Sequence, residues 1–228
     1  FNPIPILKYQ IPSGFEALPL FVFEKGIFEK VKVEEPIVSY GMLDESREYT
    51  YAEYLTWKFK ERVELIHGRI RKMSPAPSWK HQRSSRILSQ GMDAYFENHA
   101  CEVFYAPIDV CLAVPSKKKN TTVIQPDVCV LCDLTKLDDH GIVGTPDLIV
   151  EILSPGNIKH DIDTKFELYQ EASLPEYWIV NPMERNIIVY TLRDGAFSGS
   201  KIFTEGENAV SKHFKGLEVS VEKVFEGV

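Results

Sequence analysis

Short apolar runs punctuated by Pro, Gly, Asn and Asp set the rhythm of this chain. Two of them, LIVEIL (148–153) and YWIV (177–180), are apolar on both faces, the pattern of central strands covered by helices on either side. PDVCVL (126–131) and NIIVYTL (186–192) predict two further strands. RVELIHGRIRKM (62–73) alternates as a single strand with a bend at Gly68, and VFYAPIDVCLAV (103–114) reads as another. PSKKKNTT (115–122) follows as a hairpin-like loop. Helical signals appear in three places. Thr50 with Glu53 is a capping-box pattern that opens a short helix to about residue 60. Residues 79–99 put Ile87, Leu88, Met92, Tyr95 and Phe96 on one face. The third helix covers 161–172, with Asp161 as N-cap and Pro175 beyond its end. A hairpin in KIFTEGENAV (201–210) and a last segment, SVEKVF (220–225), complete the chain.

This order is α/β. The helix between LIVEIL and YWIV joins two apolar strands in βαβ fashion, so the expected fold is a mixed central β-sheet flanked by α-helices. Residues 1–49 are Pro-punctuated and weakly periodic, which suggests an N-terminal arm ahead of a domain at 50–228. A hydrophobic content of 44% excludes a disordered chain. The formal charge of −7 argues against a passive nucleic-acid coat but is compatible with carboxylates that hold a metal. No apolar run is long enough to cross a bilayer, and a cytoplasmic location is expected. The four cysteines do not read as a disulfide framework in a chain of this length. Cys129 and Cys132 of CVLC are expected as small buried hydrophobes.

Glu151 breaks the apolar pattern of LIVEIL. An ionised carboxylate in a dry strand costs several kcal/mol unless a cation, a proton or a metal compensates it. A structural ion pair is the usual explanation for one such acid. Here Asp127 heads the apolar run PDVCVL and Glu64 sits inside RVELI, so three acids share the same predicament. Lys165, on the helix after the Glu151 strand and on the same face as Tyr169, is the nearest candidate cation. Carboxylates with a lysine suit a Mg²⁺ site, with Mn²⁺ as substitute. Asp127, Glu151, Glu64 and the main-chain carbonyl of Ile152 are the candidate ligands, with Lys165 beside the reacting water or phosphorus.

A Pro-Asp pair, a Glu on the next strand and a nearby Lys resemble the PD-(D/E)XK, or restriction-endonuclease-like, superfamily. RVELIHGRIRKMSPAPSWKH, QPDVCVL and the long stretch TPDLIVEILSPGNIKHDIDTKFELYQEASLPEYWIVNP resemble the Uma-type restriction endonucleases more specifically. The resemblance implies a nuclease domain, often dimeric, with Glu64, Asp127, Glu151 and Lys165 as its catalytic positions and DNA as its partner. Leu153 stands where a literal ExK would put lysine, so the lysine has moved to the following helix. Asn181 and Ser173-Leu174 are smaller departures, away from these four positions. The leading expectation is a metal-dependent endonuclease hydrolysing DNA phosphodiester bonds. The alternatives are a catalytically inactive nucleic-acid-binding or protein-interaction module, its acids clustered around Lys165, and a hydrolase of another phosphate ester. His81 is a secondary candidate that could contact a phosphate or donate to a carboxylate, and Asp147 reads as a strand-entry turn residue. Lys117, Lys118 and Lys119 read as a solvated loop, and Trp57, Trp79 and Trp178 as core or interface aromatics.

Overall fold

The structure, a computed structural model, describes residues 40–73, 77–115, 120–154 and 158–228, with the backbone alone at 158–161. They belong to the second of two units, Ile37–Val228. Lys117 to Lys119 and most of the N-terminal arm lie outside the described residues.

Thr50 caps α1 (Tyr51–Tyr54) through a complete capping box with Glu53, but the helix ends after one turn instead of reaching residue 60. The next segment folds as a hairpin, not as one bent strand. β1 (Val63–Ile66) returns as β2 (Arg69–Lys72) through His67 and Gly68, whose φ values of 51° and 82° match a two-residue turn that follows the strand twist. α2 (Trp79–Phe96) has Ser78 as its N-cap and buries Leu88, Met92 and Phe96 as its spacing predicts.

VFYAPIDVCLAV divides into β3 (Glu102–Tyr105) and β4 (Asp109–Cys111), with Pro107 between them. β5 (Val123–Ile124) and β6 (Val128–Leu131) divide likewise around Pro126. A proline has no N–H to give a ladder, so each break releases the chain to another sheet. β7 (Leu137–Asp138), β8 (Gly141–Val143) and β9 (Leu148–Ile152) follow, then α3 (Ile158–Glu171). α3 begins before Asp161, which therefore lies inside the helix and is not its cap. β10 (Glu176–Asn181), β11 (Asn186–Arg193) and β12 (Ala196–Gly199) form a meander. The last hairpin pairs β13 (Asn208–Val210) with β14 (Glu218–Ser220), downstream of the expected one, and α4 (Val221–Val224) closes the described chain.

The α/β architecture holds, but the strands form two large sheets. One runs β2-β1-β5-β4-β8-β7 and the other β12-β11-β10-β9-β6-β3. β9 and β10 are parallel, joined by α3 as the βαβ pattern requires, while β6 runs antiparallel on the other side of β9. One core fills the space between the second sheet and α2, α4 and the C-terminal hairpin. Another packs α3 against the opposite face together with side chains of the first sheet. The chain crosses between the sheets at 106–108 and again at 125–127. The second crossing carries Asp127.

The cysteines divide unexpectedly. Cys111 and Cys129 are buried free thiols, pushed up to about 12 by burial, as small hydrophobes should be. Cys101 and Cys132 form a disulfide, contrary to the expectation for Cys132. The β3–β6 register pairs Glu102 with Leu131, so the next position outward sets the two cysteines opposite each other, their Cα atoms 3.9 Å apart.

Candidate active site

Glu151 occupies the middle of the second sheet, between β10 and β6, and its side chain faces α3. Two side chains one turn apart on that helix converge on a single oxygen. Lys165 Nζ donates to Glu151 Oε1 at 2.8 Å and the Tyr169 hydroxyl donates to the same atom at 2.5 Å. Lys165 Nζ also stands 3.3 Å from Glu64 Oε1. Glu64 belongs to β1 of the first sheet, so the one ammonium ties the two sheets together. The Gln125 main-chain N–H holds the same Glu64 oxygen at 3.1 Å.

Asp127 sits one residue before β6, where the β6–β9 register brings it opposite Glu151. Its Oδ2 accepts the Ile152 main-chain N–H at 2.7 Å and lies 3.1 Å from His81 Nε2, on the first turn of α2. The same register would set Pro126 opposite Ile152. Strand geometry turns the Ile152 carbonyl to the same side as its N–H, toward Pro126, which has no N–H to offer it. The sequence Pro126-Asp127 thus does two things at once. It gives Ile152's N–H a carboxylate and leaves Ile152's carbonyl without its ladder donor.

The electrostatics follow from crowding. Burial pushes the Glu151 carboxyl up to about 7; Lys165 opposes the rise, and Asp127 and Glu64 add to it. Burial works against charge on Lys165, but Glu151 and Glu64 outweigh it and hold the ammonium above its usual range. The Tyr169 hydroxyl is raised by burial and by Glu151, so it remains a donor. Among the described residues, Lys165 is the one cation in contact with Glu151 and Glu64.

All four residues singled out from the sequence come to this place. Glu64, Glu151 and Lys165 are in direct contact, and Asp127 joins them through the Ile152 backbone. His81 touches Asp127, a carboxylate being one of the two partners its candidacy allowed. Asp147 accepts the Cys132 N–H at 2.8 Å, a strand-entry role. Trp178 is buried and Trp57 stacks on Phe59, whereas Trp79 is exposed and is no core residue.

Two contributors escaped the sequence reading. Tyr169 was visible as Lys165's neighbour on the helix but not as a donor to Glu151. Gln125, directly before Pro-Asp, links Glu64 to Asp109, whose Oδ1 accepts from Gln125 Nε2 at 2.8 Å and from the Tyr54 hydroxyl at 3.1 Å. Spacing of the acids carries no signal for either contact.

Among the described residues, no three His, Cys, Asp or Glu side chains converge as a ready-made metal cage. The donor set is still one a hard cation accepts. Mg²⁺ is commonly bound through one or two carboxylates, with water and substrate oxygens completing the shell. Asp127, Glu151 and the Ile152 carbonyl offer that partial set.

A model described as "putative restriction endonuclease", Uma2, matches residues 51–222. The chain belongs to the Uma2 family. It is also similar to "Uncharacterized protein slr1290" of Synechocystis, 25% identical over 185 residues that span 77% of this chain and 90% of that one. Among solved structures it resembles one titled as a putative nuclease belonging to DUF820, from Anabaena variabilis. The TM-score is 0.62 at 18% identity, covering 78% of this chain and 97% of that chain. The fold neighbour supports the α/β architecture. No helix among the described residues is long and apolar enough to cross a membrane.

Proposed function

We propose that this Uma2-family chain is a Mg²⁺-dependent endonuclease that hydrolyses DNA phosphodiester bonds, with Mn²⁺ able to substitute. The observation that carries the reading is the pairing of Asp127 and Glu151 on adjacent strands, beside an Ile152 carbonyl that lacks its ladder donor. Asp127, Glu151 and the Ile152 carbonyl would hold the ion, with Glu64 completing the shell or placing a second ion. Bound there, the ion would acidify a water and neutralise charge on the phosphate. Lys165 keeps its proton and orients a water or a phosphate oxygen, while Tyr169 and Gln125 fix the carboxylates. His81 steadies Asp127 from α2.

Membership of a family described as restriction endonucleases supports the reaction class. A homodimer, which would suit cutting both strands, and a cytoplasmic location belong to the same proposal. The direct contacts of Lys165 with Glu151 and Glu64 favour one competing reading, a structural ion-pair centre on an inactive binding module. Supercoiled plasmid incubated with the protein and Mg²⁺ or Mn²⁺ separates the two. Nicking or linearisation is expected, abolished by chelator and by Asp127→Asn or Lys165→Met. If the wild type leaves DNA intact with both ions, or Asp127→Asn cuts equally well, the nuclease reading is wrong.

A further inference from the structure

The charges of α2 run against its own dipole. From Trp79 to Met92 the helix carries Lys80, Arg83 and Arg86 and no Asp or Glu, and its first turn has no acid at all. Its later turns bear Asp93, and Glu97 follows as the C-cap. A helix is stabilised by the reverse arrangement, with anions at the start and cations at the end. In a chain of formal charge −7, three exposed cations on a half-helix that holds no acid form a surface fitted to an anion.

The geometry supports one continuous surface. Trp79, Arg83, Arg86 and Gln90 recur on the side away from buried His81, Ser84, Leu88 and Met92, and Lys80 borders them. Trp79 is 62% exposed and Lys80 Nζ lies 5.7 Å from its ring. Arg83 rests against the backbone at Gly227. Among the described residues, none of the three cations takes part in an ion pair. His81, on the opposite, buried face of the same helix end, touches Asp127, so the start of α2 abuts the candidate active site while its cationic face points outward.

We propose that the exposed N-terminal half of α2 receives the phosphate backbone of duplex DNA through Lys80, Arg83 and Arg86, with Trp79 flanking them. This rests on the nuclease reading and adds a surface that anchors the duplex outside the site. The test is binding of the full chain to a labelled mixed-sequence duplex in chelator, followed by anisotropy from 50 to 200 mM salt. The Lys80→Gln/Arg83→Gln/Arg86→Gln triple variant is compared with the wild type and with a control that neutralises the exposed Lys201, Lys215 and Lys223.

Each phosphate contact contributes roughly 0.9 to the log–log salt slope. Across that fourfold salt range the wild type should therefore lose about 40-fold more affinity than the triple variant. The control should follow the wild type, and the triple variant should melt no lower than it. Plasmid cleavage is read in parallel. If the triple variant binds and cuts with wild-type salt dependence, the surface is wrong while the nuclease reading stands. If the control loses as much as the triple variant, net charge is responsible and the surface is again wrong. A wild type that neither binds nor cuts removes both.

Discussion

Replacing Glu151 by Gln keeps the shape of the side chain and removes its ability to ionise. Glu151's carboxyl has an ordinary value of 4.5 and is pushed up to about 7 in the fold. Below pH 4.5 it is protonated in both states and contributes no difference. Between 4.5 and about 7 the folded protein keeps a proton that the unfolded chain has lost, so this group's contribution to stability falls as pH rises. Above that window the folded protein carries the ionised form at full cost. Each unit of difference is worth about 1.4 kcal/mol, so the cost approaches about 3 kcal/mol at pH 8. The side chain is only 11% exposed, and solvent screening removes little of it. Glu151→Gln should therefore be more stable than wild type by about 3 kcal/mol at pH 8 and no different at pH 4. For a domain of this size that is a rise of roughly 6–12 °C in Tm. Thermal melts of both proteins at pH 4, 6 and 8 measure it. If the variant melts lower at pH 8, Lys165 more than compensates the ionised carboxylate, and the acids are a structural ion-pair centre.

Tyr169→Phe removes a buried donor from that same oxygen and should cost about 1.5–3 kcal/mol at pH 8, seen as a lower urea midpoint. The loss should shrink at pH 5, where Glu151 is protonated. Glu176→Gln, at the start of β10, should destabilise the protein by about 2 kcal/mol in the same titration, because an amide NH₂ would meet N–H donors. Gly68→Ala should cost about 1–3 kcal/mol by chemical denaturation: its φ is +82° and a Cβ there would lie 2.9 Å from Glu48 Cβ and 3.1 Å from the Tyr49 carbonyl.

Where local signals agreed with tertiary packing, the elements were legible. The both-face apolar runs around Glu151 and Trp178 are adjacent parallel strands, and the i, i+4 pattern of Leu88, Met92 and Phe96 is a buried helical face. The division into two sheets was not seen. Its cue was present in Pro107 and Pro126, each interrupting what read as continuous alternation, but a proline says only that a ladder stops. Where the released strand goes depends on contacts distant in sequence. The His67-Gly68 turn was misjudged for a related reason. A glycine inside alternating residues signals a bend or a hairpin equally well, and only the pairing of Glu64 with Arg71 decides between them. The cysteine pair depended on a register that periodicity cannot set.

The candidate site was found by asking which acids sit in apolar strands, and Glu176 shows what that question leaves out. Glu176 is fully buried at the start of a central strand, yet it was passed over. Its two oxygens accept Trp178 Nε1 at 2.8 Å and the main-chain N–H groups of Lys212 and His213 at 2.6 and 2.9 Å. Those donors are fixed, numerous and internal, so the carboxylate holds the C-terminal hairpin to the sheet. Among the described residues, Glu151 has two donors on a single oxygen, one of them shared with Glu64, and a third carboxylate opposite it. Burial is common to both acids and distinguishes nothing. What separates them is whether the surroundings satisfy the charge, and that is why the same Glu-to-Gln change should stabilise the protein at 151 and destabilise it at 176. A fold that keeps an under-compensated carboxylate next to Asp127, where neutralising it would be easy, retains it for something other than stability.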